Sequence, residues 1–128
     1  MGTTNTLCWT DIPVVDLDRA VKFYSAVLGT EVSKMSEGGD EYALLPHEEQ
    51  NASGCLCVRG DSAGIKNEPS QDGPLIYLST EGRLDDAVKA VRANGGKVLQ
   101  DRQQIGPHGF RAIIVDSEGN RIALHSSG

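Results

Sequence analysis

Three histidines, three cysteines and a few strand-borne acids are the residues of this chain with chemistry to offer. Histidine has the ordinary pKa closest to neutrality, so it is the first place to look for proton transfer. His125 lies two residues beyond Ala123 in a strand-like segment, and alternation puts both on one face, about 7 Å apart. It reads as a pocket acid or base, as a single ligand of a displaced metal site, or as a histidine at a fraying strand end. His108 stands in Gly106-Pro107-His108-Gly109-Phe110, a turn entering a strand. Turn histidines are usually solvated, yet functional groups also collect on loops. His47, followed by Glu48 and Glu49, reads as an exposed polar loop.

Asp11 shares a strand face with Trp9, and a buried acid there is expensive unless paired. It is therefore a candidate for proton transfer, set against a plain reading as a strand-edge residue in water or an ion pair with Arg111 or Arg121. Asp116 and Asn120 fit the hairpin turn DSEGN, where short polar side chains bond the local backbone. Cys8, Cys55 and Cys57 are odd in number, and Cys55 and Cys57 point to the same face of one strand without CxxC spacing. Buried free thiols are expected of them, rather than disulfides or a zinc site.

The elements that must position these groups come in two matching sets. From Asp16, the text DLDRAVKFYSAVLG places Leu17, Ala20, Val21, Tyr24, Val27 and Leu28 on one helical face. Asp16 suits the N-cap and Gly29 the left-handed C-terminal position. RLDDAVKAVRANGG repeats the pattern with Leu84, Ala87, Val88 and Val91 and ends at Gly95 and Gly96. With Leu17 set on Leu84, Asp18, Lys22 and Gly29 also recur as Asp85, Lys89 and Gly96. Helical periodicity does not require those polar and glycine matches, so an internal repeat is expected.

A strand candidate precedes each helix, Leu7 to Val14 and Pro74 to Thr80. Three follow each: Glu31 to Ser36, Glu41 to Leu45 and Gly54 to Val58, then Lys97 to Gln100, Gly109 to Val115 and Arg121 to His125. The order is βαβββ twice, with modules at about 5–59 and 74–127 and a linker at 60–73 rich in Gly, Ser, Asp and Pro. Arg59-Gly60-Asp61 at its start is read as loop chemistry. One helix cannot cover both faces of such a sheet, so two units must share the uncovered face, and that face becomes a cleft.

A chain of 128 residues is expected to be one domain. Its composition, 38% hydrophobic and 23% charged, suits a soluble protein, and no apolar run reaches the roughly 20 residues of a membrane span. The N-terminus lacks the pattern of a secretory signal, which suggests a cytoplasmic protein. Net charge of −6 and a pI near 4.9 argue against nucleic-acid binding.

The stretch CWTDIPVVDLDRAVKFYSAVLG resembles the opening of glyoxalase-like proteins, and GPHGFRAIIVDSEGNRIALHSS resembles their closing hairpin. The chain is thereby similar to the glyoxalase, bleomycin-resistance and extradiol-dioxygenase group, the vicinal oxygen chelate superfamily. Cys8-Trp9, GGKVL at Gly95 to Leu99 and GNRIALHS at Gly119 to Ser126 resemble the branch related to lactoylglutathione lyase. The resemblance implies an α+β fold in which the two tandem βαβββ modules form a half-open barrel with a central cleft, commonly completed as a homodimer.

In metal-dependent members of that group, His, Gln or Glu side chains from the first and last strands of each module hold a divalent ion. Carried over by resemblance, those positions fall on Trp9, on Leu75 or Ile76, on Ala123, and near Leu56 or Cys57. The usual ligands are largely absent, so neither a metal or other cofactor nor standard lactoylglutathione lyase chemistry is expected. Four of the six aromatics, Trp9, Tyr42, Tyr77 and Phe110, fall on strands. Trp9, Leu75 and Tyr77 on one lining, with Phe110 and Ala123, suit a flat, partly apolar small-molecule ligand.

Three functions stay open: a lyase or isomerase using His108, His125 or Asp11 for proton transfer, a drug- or metabolite-sequestering protein of the bleomycin-resistance kind, and an accessory domain presenting a liganded surface.

Overall fold

The computed structural model describes residues 6–37, 40–48, 53–58 and 67–128. Arg59-Gly60-Asp61 and the first part of the linker lie outside them.

The first module runs β1 (Trp9–Val14), α1 (Leu17–Leu28), β2 (Ser33–Glu37), β3 (Asp40–Leu44) and β4 (Ser53–Val58). The second runs β5 (Ile76–Ser79), α2 (Leu84–Ala93), β6 (Lys97–Gln104), a 3-10 turn at Gly106–His108, β7 (Phe110–Val115) and β8 (Arg121–Ser126). Each module makes a four-stranded sheet, in the orders β1-β4-β3-β2 and β5-β8-β7-β6. In both, the strand before the helix pairs in parallel with the last strand of its module. The two repeats therefore place β1 and β5 in equivalent environments, each on the edge of its sheet.

Local chemistry explains α1. The Asp16 carboxylate accepts from the Arg19 N–H at 3.0 Å, and Gly29 adopts φ 73° at the other end, where its N–H reaches the Ser25 carbonyl. Its buried face holds Leu17, Ala20, Phe23, Tyr24 and Val27, with Val21 and Leu28 at the margins. α2 buries Leu84, Ala87, Val88 and Val91, as its spacing predicts. It ends earlier than the repeat implies, at Ala93, and the left-handed residue is Gly95 (φ 90°) rather than Gly96. Gly96 serves another purpose, since a Cβ there would lie 2.6 Å from Phe23 and 2.7 Å from the Val115 carbonyl.

One continuous core joins the halves. Ile12, Ala43 and Leu56 from the first sheet and Ala112, Ile114, Ile122 and Leu124 from the second belong to the same buried cluster as both helices. Phe23 and Tyr24 meet edge-on there with ring centroids 5.0 Å apart. Because strand side chains alternate, the opposite sheet faces carry Trp9, Asp11, Cys55 and Cys57 in one module and Tyr77, Arg111, Ala123 and His125 in the other. β6 runs four residues beyond its expected end at Gln100, through Asp101 to Gln104. It pairs with β7 across two register irregularities, which polar text without alternation does not announce.

Candidate functional site

β1 and β5 belong to separate sheets, and between these two edge strands lies a groove of about 770 Å³. That is within the roughly 300–1,000 Å³ of small-molecule sites. Trp9, Leu75 and Tyr77 all line it, together with Leu7, Pro74 and residues at the end of α1 and after β3. Trp9 is 47% and Tyr77 45% exposed, large apolar surfaces left uncovered on either side of one opening. Ile76 and Leu78 pack against the core, so alternation aligns Leu75, not Ile76, with the Tyr77 face.

Along β5 the groove meets a second hollow of about 500 Å³, since Tyr77, Leu78 and Ser79 line both. Ile105, His108 and His125 complete the second one. His125 is not at a fraying end: β8 continues to Ser126, whose buried hydroxyl accepts from the Gly82 N–H, and Ser127 is held by Glu81. The His125 Nε2 lies 2.6 Å from the His108 carbonyl. A carbonyl only accepts, so Nε2 carries hydrogen, and in the neutral ring the lone pair is on Nδ1. Thus His108 contributes its backbone to orienting His125, while its own exposed ring lines the hollow. Across the sheet, Arg111 donates to the Tyr77 hydroxyl.

Two sequence-derived lining residues are placed differently. Phe110 opens β7 on the side of Ala112 and Ile114, packs against the core and lies beneath the Arg102 guanidinium. Alternation along β7 sets Arg111, not Phe110, on the face that reaches Tyr77. Ala123 does share the Tyr77 side, as its direct partner in the β5–β8 ladder, but it is fully buried there.

On the first sheet, the parallel register sets Asp11 beside Cys55 and Pro13 beside Cys57. Asp11 accepts from the Trp9 indole N–H at 3.1 Å and from the Cys55 thiol at 3.3 Å. The ion pair held open for Asp11 is not formed: Arg111 turns to Tyr77, and Arg121 donates to the Gly73 carbonyl at 2.6 Å. Burial, then the hydrogen bond to Asp11, pushes the Cys55 thiol up to about 12. None of the three cysteines is in a disulfide, and Cys8, just outside the β1 ladder, is exposed rather than buried. Asp11, Cys55 and Cys57 place their ligand atoms within 4.8 Å of one another, a grouping that residues 44 and 46 positions apart in sequence do not reveal.

The four positions that resemblance assigns to metal ligands thus hold Trp9, Leu75, Ala123 and, for the fourth, Leu56 or Cys57. An indole N–H only donates, and Leu and Ala have no ligand atom. The residues do not fit the four-ligand divalent centre of metal-dependent relatives, and no step is derived through such an ion.

What holds the two edge strands in place is the β7–β8 hairpin. The Glu118 side chain, with no exposed surface, accepts from the backbone N–H groups of Val15 and Asp16, both at 2.8 Å, and pairs with Arg19 at 2.7 Å. Burial pushes this carboxyl up, but Arg19, the Asp16 and Val15 amides and the Ser117 hydroxyl outweigh it and bring it down to about 2. Asp116 accepts from the Tyr24 hydroxyl as well as from the Glu118 and Asn120 backbone, and Asn120 donates to the Pro13 carbonyl at 2.8 Å. The hairpin polar groups therefore do more than hold their own turn: they tie the second module to the end of β1.

Comparison with known proteins agrees with this architecture. A family model described as Glyoxalase/Bleomycin resistance protein/Dioxygenase superfamily matches residues 6–124. A glyoxylase-like domain-containing protein of Didymella fabae is 29% identical over 116 residues, covering 89% of this chain and 88% of that protein. The Mycobacterium bovis protein CFP32 is 28% identical over 93% of this chain, which spans only 43% of its length. Among solved structures, a glyoxalase-related enzyme from Fulvimarina pelagi superposes with a TM-score of 0.70 at 11% identity, covering 94% of this chain and 87% of its own. A glyoxalase/bleomycin resistance protein from Albidiferax ferrireducens gives 0.70 at 18% identity, covering 95% and 98%. With paired βαβββ modules around an edge-strand groove and a family match spanning nearly all of its length, the chain belongs to the Glyoxalase/Bleomycin resistance protein/Dioxygenase superfamily.

Proposed function

We propose that this protein binds a small organic molecule, its flat apolar body between Trp9 and Tyr77 and its oxygen-bearing end toward Ser79 and His125. The observation that carries this reading is the groove itself: two strands at the edges of their sheets, with Trp9, Leu75 and Tyr77 along a space of small-molecule size. Uncovered aromatic faces on both sides favour a planar group, whose burial recovers apolar area now facing water. Absence of the usual metal ligands favours sequestration over metal-dependent lyase chemistry.

One observation favours a second reading, proton-transfer catalysis. His125 is oriented by the His108 carbonyl with Nδ1 free to accept, which is the arrangement a general base requires.

The test is a thermal-shift panel of small aromatic and vicinal-dioxygen compounds on the wild type, Trp9→Ala and Tyr77→Ala. Binding predicts a saturable rise in Tm, worth about 2.7 kcal/mol at a hundredfold excess over Kd, that both substitutions weaken. A panel without any shift, or shifts untouched by both substitutions, refutes the reading. His125→Ala then separates the two functions: a binder loses part of its affinity and has no turnover to lose, whereas an enzyme loses about 10²- to 10⁴-fold in rate.

A further inference from the structure

We propose that Asp11, Cys55 and Cys57 form a binding site for a thiophilic divalent cation of the zinc class, built entirely from the first module. The three side chains come from adjacent parallel strands and lie on one face, with ligand atoms already within 4.8 Å of each other and the Cys55 sulfur 3.3 Å from Asp11 Oδ1. Zinc bonds of about 2.3 Å to sulfur and about 2.0–2.2 Å to oxygen place tetrahedral ligand atoms roughly 3.5–4 Å apart, so side-chain adjustments suffice while the backbone ladder stays in place.

The donor set selects the metal. Two thiolates with one carboxylate suit Zn(II) and its spectroscopic substitute Co(II), while Mg(II) and Ca(II) prefer all-oxygen surroundings. The Trp9 indole N–H supplies an outer partner, donating to Asp11 and fixing the orientation of its carboxylate. Cys55 is buried, Cys57 half-buried and Asp11 exposed, so the three donors form a wall on one side of the ion and leave a fourth position toward solvent. An open fourth position is what distinguishes a zinc site able to take an exogenous ligand from a closed structural one. This is not the centre that the family resemblance implies, for that centre draws ligands from both modules and the second module contributes none here. It also stands apart from the small-molecule reading above, which can fail without affecting it.

Trp9, the only tryptophan in the chain, makes the test direct. Full-length reduced protein, stripped with chelator and then passed free of it, is titrated with Co(II) while absorption and Trp9 emission are followed. The expected result is thiolate-to-cobalt charge-transfer absorption that saturates at one equivalent, quenching of Trp9 in parallel, and loss of both on adding Zn(II) but not Mg(II). Cys57→Ser, at a half-buried position, and Asp11→Asn, at an exposed one, keep the fold and weaken Co(II) binding by more than about tenfold. Cys8→Ser, which removes the exposed thiol next to Trp9, leaves the titration unchanged. The proposal is overturned if charge-transfer absorption is absent with excess Co(II), if it persists at full strength in Cys57→Ser, or if it disappears in Cys8→Ser.

Discussion

The Glu118 carboxylate meets the Arg19 guanidinium at 2.7 Å, joining the last hairpin of the second module to the first turn of α1. Glu118 has no exposed surface and also receives the Val15 and Asp16 amides, whereas Arg19 is half exposed, so the carboxylate is the critical partner. Glu118→Gln keeps the size but loses the charge and turns a donor toward other donors. We expect a loss of about 3 kcal/mol, measured by chemical denaturation, and a much smaller loss for Arg19→Ala, where water can replace the guanidinium. Equal effects of the two substitutions would show that the ion pair, rather than amide capping, dominates.

The same carboxylate sets an acid limit. Its folded pKa, about 2, lies below the ordinary carboxylate value of 4.5, so the folded state favours the ionised form. The stability it contributes is complete above about pH 4.5 and is lost progressively as pH falls toward 2. Wild-type denaturation midpoints should fall through this window, and the Glu118→Gln variant should show a flatter dependence over the same range. Parallel curves for the two proteins would contradict the assignment.

Gly54 permits the contact between β1 and β4. A Cβ at this position would lie 2.2 Å from the Thr10 carbonyl oxygen, a backbone atom that cannot swing aside. Gly54→Ala should therefore destabilise the protein by about 3 kcal/mol or more and spread the ladder that sets Asp11 beside Cys55. Thermal unfolding measures the first effect, and altered Trp9 emission in the folded variant measures the second, because Trp9 is hydrogen-bonded to Asp11.

Much of the site scaffold is legible in the linear text, and the exceptions share a cause. The helical faces, the Asp16 and Gly29 caps and the DSEGN turn depend on neighbours within a few residues, where local chemistry dominates. Trp9, Leu75 and Tyr77 are also recoverable, because strand alternation and the repeat bring equivalent edges together. Phe110 is harder to place, because alternation groups it with Ala112 and Ile114 but which of the two faces meets the core is decided by the packing of the helices. The Asp11–Cys55 contact is hidden for a different reason: it depends on the register of a parallel pair, which no turn length specifies. Glu118 offers no signal beyond its position in a polar turn, yet its partners are about a hundred residues away.

Residue order alone determined that there are two βαβββ units, because periodicity, caps and duplicated text are properties of short segments. It also limited the ligand positions, since Trp9 and Ala123 cannot coordinate a metal in any conformation. Tertiary structure decided which faces look into the groove, which thiols lie beside which acid, and which buried carboxylate locks the modules together. Those outcomes depend on packing two sheets against one common core, where the free energy is set by contacts between distant segments rather than by the preferences of any one of them.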